Sequence, residues 1–383
     1  MSPDTGEPPF RRVLSATVTP LASILGSGLL IIVPILERTL GALAFVGAIG
    51  ISTLAWFVGT VIRHNVEIVE TAEANGTLDK ATTVINRIGD AVIVVAYVIS
   101  VALYLRIMAQ YIVRFVAQDG APVIESIIAS AVVVLIVLIG ALRGFTGLNR
   151  LDRISLTAVL ALTVVLVAAL FAHDAGVVGG ALQILPPIPS ADPWTTLLIL
   201  GGTVITVQGF ETMRFLKLQY DTETRIRASR LAQLVAAAIY IAFVIAATPV
   251  MGLGTAAGAD DTLLTITSRV APWLVLPLVL SAVLSQFSAA VADVSAADGN
   301  LRGLSSWFSG TRPYLVTGVL AIVLASTLPL LLLVSIASRA FAAYYAIEAV
   351  IAVRTSTGLW QKVGFGTIAV LMFAIVLLAQ PAS

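Results

Sequence analysis

The chain has 383 residues, of which 58% are hydrophobic and 11% charged, with a formal net charge of +1. Its mean hydropathy of +1.01 is too high for a soluble chain of this length, so the composition is that of an all-α polytopic membrane protein embedded in a lipid bilayer. Cysteine is absent, which excludes disulfides and thiolate metal sites, and the charge gives no sign of a nucleic-acid partner.

Residues 1–12 are short and polar and read as a cytoplasmic N-terminal tail ahead of a full-length span. Apolar runs then predict about eleven transmembrane helices. The first five are 13–36, 40–62, 89–116, 122–142 and 151–171, and the stretch 63–88 reads as a surface loop with a short helix. A Gly/Pro-rich loop, 175–192, divides the chain. Six more spans follow at 193–216, 231–251, 263–296, 314–328, 330–353 and 363–379. His64 and His173 fall in or near loops, so no metal site is expected.

Two of these spans are interrupted. In the first, Gly26 and Gly28 flank Ser27, and three residues of low helix preference lie between apolar arms. A small-residue packing face uses the same pattern, so packing and a helix break both remain open for it. In the sixth, Thr206-Val207-Gln208-Gly209-Phe210-Glu211 interrupts an apolar helix and carries a carboxylate. Broken helices at corresponding places in two halves point to the binding site of a secondary transporter.

The halves match in layout. Residues 13–172 form a first repeat of five spans and 193–353 a second, each opening on a broken helix and holding a long third member; 360–380 adds a peripheral eleventh span. Five is odd, so the second repeat enters from the opposite side, giving a 5+5 inverted repeat. Lys and Arg gather on the loops that an N-terminus inside makes cytoplasmic, including Arg63, Arg143, Arg150, Lys217 and Arg230. The expected place is the cell's plasma (inner) membrane, multi-pass, with the N-terminus cytoplasmic.

The chemistry is expected at the breaks. Amides around Ser27, Gly28 and Leu29, beside Ser23 and Gly26, suit a substrate carboxylate, as half-helix N-termini do. Carbonyls near Thr206, Val207 and Gln208 suit a substrate amine. Arg106, Glu211, Arg214, Asp293, Arg339 and Glu348 lie within spans and are functional candidates for that reason. Glu211 stands out because it sits at a break, where burial fits a carboxyl for carrying a proton. A permanent partnership with a basic side chain is its alternative role. Arg214 is expected to snorkel to the interface, and Asp298 with Arg302 to form a local i,i+4 pair. Tyr97, Tyr104 and Tyr111 recur at every seventh position of the third span, a spacing that serves packing.

Gly26-Ser27-Gly28, Gly209-Phe210-Glu211, Ser288-Ala289-Ala290 followed by Asp298-Gly299-Asn300-Leu301, and Val353-Arg354 together resemble the amino acid–polyamine–organocation (APC) superfamily. The resemblance covers spans one to ten and implies a leucine-transporter-type fold with helices 1 and 6 broken. It implies a secondary active transporter of amino acids or amines, Phe210 as an aromatic lid, Tyr104 as a hydroxyl donor to substrate, and Ser288 in a cation site with Ser285 and the carbonyls of Ala22 and Leu25. The family commonly has twelve spans and a Ser-Ser pair where this chain has Ser288-Ala289. One hydroxyl fewer favours a coupling proton over sodium. No cofactor beyond that coupling ion is implied. Sodium coupling, a nucleobase or other small solute, a channel and a non-transporting receptor are the alternatives. An intramembrane enzyme is not expected, since no histidine lies in a span and no paired carboxylates share a helix face.

Overall fold

The computed structural model describes residues 9–117, 121–176, 185–190, 192–253 and 262–379, with the side chains of 27, 143–152, 205, 218, 253, 262 and 331 outside that description. Half of the loop 175–192, most of 252–261, most of the N-terminal tail and the Ser27 side chain therefore lie outside the described residues.

The described residues form α1 (Pro9–Gly28), α2 (Ile32–Leu40), α3 (Ala44–Ala74), α4 (Lys80–Ala117), α5 (Pro122–Asp174) and α6 (Pro193–Gly201). Two 3₁₀ segments, Val204–Val207 and Phe210–Leu218, continue from α6. Then come α7 (Thr222–Ala247), α8 (Thr262–Val270), α9 (Val275–Leu304), α10 (Arg312–Thr327), α11 (Leu330–Thr355) and α12 (Leu359–Leu378). Among the described residues, eight stretches are long and apolar enough to cross a membrane, and α10 is a shorter apolar helix.

Local chemistry sets most boundaries. Asp192 caps α6, its carboxylate accepting from Trp194 N–H at 2.9 Å and Thr195 N–H at 3.1 Å, with Pro193 preorganised behind it. Asp221 caps α7 through Thr224 N–H at 2.8 Å. Asp79 does the same for α4 through Thr82, and those hydrogen bonds hold its carboxyl down at about 2.

Three expectations need correction. The loop expected at 63–88 shrinks to a short turn. Glu67, Glu70 and Glu73 are good helix formers that carry α3 on to Ala74, and Gly76 at φ 66° ends it. The fourth and fifth spans stand as two apolar stretches, Pro122–Leu142 and Arg153–Asp174, but the linker expected between them is helical and both lie within α5, where no proline interrupts 123–174. The eighth span is instead interrupted at Pro272, which forces Ala271 out of helical geometry (φ −150°, ψ 78°) and separates α8 from α9.

The core sits on α4, whose apolar residues run all round it and whose membrane-crossing window is 78% buried. It packs most extensively on α9; α3 packs on α7, and α1 on the 3₁₀ segments. These are the pairs that a five-helix repeat would relate. By contrast only 17% of the α12 window is buried, so α12 lies at the periphery.

The glycines of the first break sit at close contacts. A Cβ on Gly28 would come 2.0 Å from the Thr206 carbonyl oxygen, and one on Gly26 2.3 Å from the Ala289 Cβ. Packing thus explains both glycines, and a side chain there disturbs the fold as well as any site. Gly28→Ala should destabilise the protein by about 2 kcal/mol through overpacking. Gly50→Ala, where nothing lies within 4 Å, should be neutral or mildly stabilising. Thermal unfolding in detergent measures both, and equal melting temperatures would refute the tight contact.

Candidate functional site

The first break does not fall where expected. Gly26, Ser27 and Gly28 are still inside α1, and the non-helical residues are Leu29–Ile31, three positions on. The Leu29 N–H donates to the Leu25 carbonyl at 3.2 Å, and the Ile31 N–H to Gly28 at 3.1 Å. The amides of Ser27, Gly28 and Leu29 are therefore engaged in helical bonding and form no open cradle for a carboxylate.

What the end of α1 presents instead is carbonyl oxygen. The Tyr240 hydroxyl of α7 donates to the Ile24 carbonyl and also reaches the Thr206 carbonyl at 3.1 Å. The Gln286 side-chain N–H of α9 donates to the Gly26 carbonyl at 2.5 Å. Acceptors at a helix C-terminus carry partial negative charge and suit cations or amines.

The second break lies where the sequence puts it. Gln208 and Gly209 are non-helical between the two 3₁₀ segments, and Gly209 has φ 126°, open to glycine alone. A Cβ there would sit 2.6 Å from the Ile24 N and 2.8 Å from the Ser23 Cβ. The two breaks therefore touch directly, through Ser23 and Ile24 on one side and Gly209 on the other.

Around this contact the side chains are buried and polar. Gln208 donates to the Tyr104 hydroxyl, so Tyr104 is at the site, as the resemblance implies. Phe210 is 1% exposed and stacks on Tyr345 of α11, with ring centroids 5.4 Å apart and an interplanar angle of 17°. A cavity holding about one water lies beside Gln208, Phe210 and Tyr345. Glu211 is fully buried. Its Oε2 accepts from the Gly209 N–H at 2.9 Å and from the Tyr345 hydroxyl at 2.8 Å, while its Oε1 has no hydrogen-bond partner. Among the described residues it makes no ion pair.

Ala22, Leu25, Ser285 and Ser288 are all buried where α1 meets α9. The Ser285 hydroxyl donates to Ala282 O at 3.1 Å, and the Leu25 carbonyl already accepts from Leu29, so two of the four groups are engaged within their own helices.

The other intramembrane charges find partners that sequence spacing did not indicate. Arg106 reaches Glu125 at 3.6 Å and Ser126 at 2.6 Å on α5. Arg339 donates to Ala379 O at the end of α12, at 2.8 Å. The Asp293 carboxylate accepts from Ser23 at 3.2 Å and from Ser100. Asp298 and Arg302 pair at 2.7 Å as expected. Arg214 does not snorkel. It pairs with Glu348 at 2.5 Å, donates to the Tyr344 hydroxyl at 2.9 Å, and lies 3.8 Å from Asp90 and 3.9 Å from Glu70. Asn65 completes Glu348 at 2.7 Å, and Arg225 holds Glu70 at 2.8 Å. This cluster ties the second 3₁₀ segment to α3, α4, α7 and α11.

Ser100, Tyr240, Gln286 and Tyr345 escaped the sequence reading. The available signal was a hydroxyl or amide in mid-span, which must find a partner in apolar surroundings.

Two broken helices meeting at a buried polar centre inside a membrane bundle define a transporter of the leucine-transporter fold. The chain belongs to the APC superfamily of transporters, whose family model matches residues 10–379. A protein of unassigned function from Aquifex aeolicus (strain VF5) is 29% identical over 347 residues, covering 89% of this chain and 84% of that one. Three solved transporters share the fold. MhsT in complex with L-phenylalanine matches with a TM-score of 0.65 and 15% identity, over 96% of this chain and 98% of its own. A mutant manganese transporter of Eremococcus coleocola matches at 0.64 and 11%, over 98% and 88%. A nucleobase-cation-symport-1 family transporter, closed with bromovinylhydantoin bound, matches at 0.60 and 14%, over 96% and 91%.

The Arg214 cluster should matter to stability far more than a surface pair. Arg214→Met leaves the fully buried Glu348 without its cation and should cost about 3 kcal/mol. Arg227→Met, at an exposed i,i+4 pair with Glu223, should change stability by under about 0.5 kcal/mol. Denaturant unfolding in detergent compares the two, and equal effects would show that the cluster contributes nothing special.

Proposed function

We propose that this protein is a secondary active transporter of amino acids or related amines, coupled to protons through Glu211 and working by alternating access. The observation that carries the reading is the state of Glu211: fully buried beside Gly209, one oxygen held by two donors and the other with none. Ionising a carboxyl in such surroundings is costly, so its charge depends on whether water reaches the break. Outward opening lets it take a proton, and inward opening lets it release one.

The breaks are in direct contact in this structure, so the substrate enters between them only when they separate, bordered then by Ser23, Gly26, Ser27, Gly28, Tyr104, Thr206, Gln208, Gly209 and Phe210. The carbonyl end of α1 and the Thr206 carbonyl receive its amine. A substrate carboxylate, where present, turns to the N-terminal end of α2 and not to the amides of Ser27–Leu29. MhsT, of the same fold, is in complex with L-phenylalanine, which is compatible with the substrate class, although the fold also serves a hydantoin-bound symporter and a manganese transporter. Ser285 is engaged within its helix and Ala289 offers no hydroxyl, so sodium is the weaker coupling ion. The loop charges support a cytoplasmic N-terminus, and the cell's inner membrane is the expected location.

Purified protein in liposomes, offered a panel of radiolabelled amino acids and amines, tests this reading. Accumulation should follow an imposed inward proton gradient and be indifferent to replacing sodium with potassium. Glu211→Gln should keep counterflow exchange and lose gradient-driven accumulation by about a hundredfold, the expected range for removing a proton-transfer group. Sodium-dependent accumulation, or accumulation retained in Glu211→Gln, would refute the assignment.

A further inference from the structure

The seam between α3 and α7 holds a cavity of about 230 Å³. Ile49 and Trp56 of α3 and Leu234 and Ile241 of α7 line its sides, and Ile49 and Leu234 are exposed at its mouth. Its floor is Ile24, Val207 and Tyr240, which belong to the contact between the two breaks.

The polar side chains of this wall are engaged within the protein. Thr53 donates to the Ile49 carbonyl at 2.8 Å, Gln233 to the Ala55 carbonyl at 2.7 Å and Tyr240 to the Ile24 carbonyl, and the Ser52 hydroxyl is itself buried. The cavity therefore presents hydrocarbon. It lies between Ile32–Ala74 and Thr222–Gly252, two stretches long and apolar enough to cross a membrane. Water gains no partners in such a space, whereas a lipid chain fills it.

One end of the cavity carries charge. Arg63 of α3 turns its guanidinium back along its own helix, to 4.7 Å from the centroid of the Trp56 ring. It donates to Gln233 Oε1, to the Trp56 carbonyl at 3.2 Å and to the Thr60 hydroxyl at 2.9 Å. Trp56 and Gln233 both line the cavity, so this guanidinium stands directly behind the wall. Arg63 is 5% exposed, yet none of its three partners is anionic. A buried cation without a counter-charge is costly.

A second arginine stands beside it. Arg230 precedes Gln233 by one turn of α7, which puts both on one side of that helix, and Arg230 is exposed. Among the described residues neither Arg63 nor Arg230 has a carboxylate within ion-pair distance; the nearby acids are taken, Glu70 by Arg225 and Glu223 by Arg227. Arg63 directly follows the apolar run 40–62, and Arg230 directly precedes the run 231–251. Both therefore mark the same border of the bilayer.

We propose that the seam of α3 and α7 binds an anionic phospholipid, with its phosphate at Arg230, the buried charge of Arg63 behind it, and one acyl chain in the cavity. The order of the features is that of a lipid: cations at the border, hydrocarbon inward of them. A helix of a second copy would fill the cavity without placing an anion at the border, and free phosphate would supply the anion without the chain. The chain reaches Tyr240, the phenol that bonds carbonyls of both breaks, so the bilayer touches the centre of the bundle at this seam. The site involves neither the substrate nor the coupling ion, and stands apart from the reading of Glu211.

Trp56 reports on the site. Full-length protein in phosphatidylcholine nanodiscs receives increasing amounts of phosphatidylglycerol with dibrominated acyl chains, which quench tryptophan fluorescence, and the Trp56 signal is the difference from Trp56→Phe. Half-quenching should need about tenfold less dibrominated phosphatidylglycerol than dibrominated phosphatidylcholine. Arg230→Gln should raise that amount about fivefold, the loss expected for one arginine at a lipid surface. Arg227→Gln removes an equal charge from the exposed pair with Glu223 on the same helix and should leave it unmoved. Glycerol phosphate, a headgroup without chains, should not relieve the quenching. Native mass spectrometry, counting retained phosphatidylglycerol, makes the same comparisons if Trp56→Phe fails to fold. Equal half-points for the two lipids, an Arg230→Gln curve that overlays the wild type, an equal shift in Arg227→Gln, or relief by glycerol phosphate each overturns the proposal. So does a Trp56 that neither lipid quenches in a protein that sediments as a dimer, which would assign the seam to a second copy.

Discussion

The structure depends on satisfying backbone carbonyls where two helices are broken inside an apolar bundle. Each exposed carbonyl buried without a donor costs as much as a lost hydrogen bond, and lipid supplies no water to replace it. Tyr240 and Gln286 provide the donors: one phenol serves Ile24 and Thr206 on opposite sides of the contact, and one amide serves Gly26. Both come from helices, α7 and α9, that pack on α1. Fixing them also fixes how near the breaks lie, and glycine at 28 and 209 is what that nearness requires.

That constraint explains which parts of the molecule were legible in sequence. Composition gives the membrane, hydropathy gives most spans, and the Gly209-Phe210-Glu211 break appears where its residues place it. The first break is displaced because helix propensity is a weak guide: Gly26 and Gly28 stay helical, held by packing against Ala289 and Thr206, and the chain unwinds at Leu29–Ile31 instead. Pro272 is visible in the sequence, but an apolar run on both sides masks its effect on α8 and α9. The long-range partners were not legible. Nothing in local spacing joins Arg214 to Glu348, 134 positions away, or Ser100 to Asp293, 193 away. Such pairs follow from helix packing alone.

Polar groups in this bundle fall into two kinds, and the difference bears on transport. The Arg214 cluster is well satisfied: the guanidinium meets Glu348, Tyr344 and Asn86, and Asn65 occupies the second oxygen of Glu348. Only Asn65 Oδ1 and Arg225 Nε lack partners in it, and a network connected through this many helices favours one arrangement. Near the breaks, Glu211 Oε1, Gln208 Oε1, Gln286 Oε1 and the Tyr97 hydroxyl lack partners. The two glutamine oxygens accept and cannot donate, and Glu211 Oε1 does the same while the carboxyl is ionised. Acceptors left open in this way are completed by whatever donor reaches the breaks.

The two kinds lie in series along one short segment. Gly209 carries the break, Glu211 follows it, and Arg214 anchors the same 3₁₀ run to α3, α4 and α11. A 3₁₀ run of nine residues is longer than the geometry usually sustains, because its hydrogen bonds are poorer than α-helical ones. The segment is held at its Arg214 turn by the charge cluster and at its Gly209 end by close packing against Ser23 and Ile24. Any re-winding of this segment would move the Gly209 N–H that Glu211 accepts from, so the carboxylate and the backbone of the break are mechanically linked.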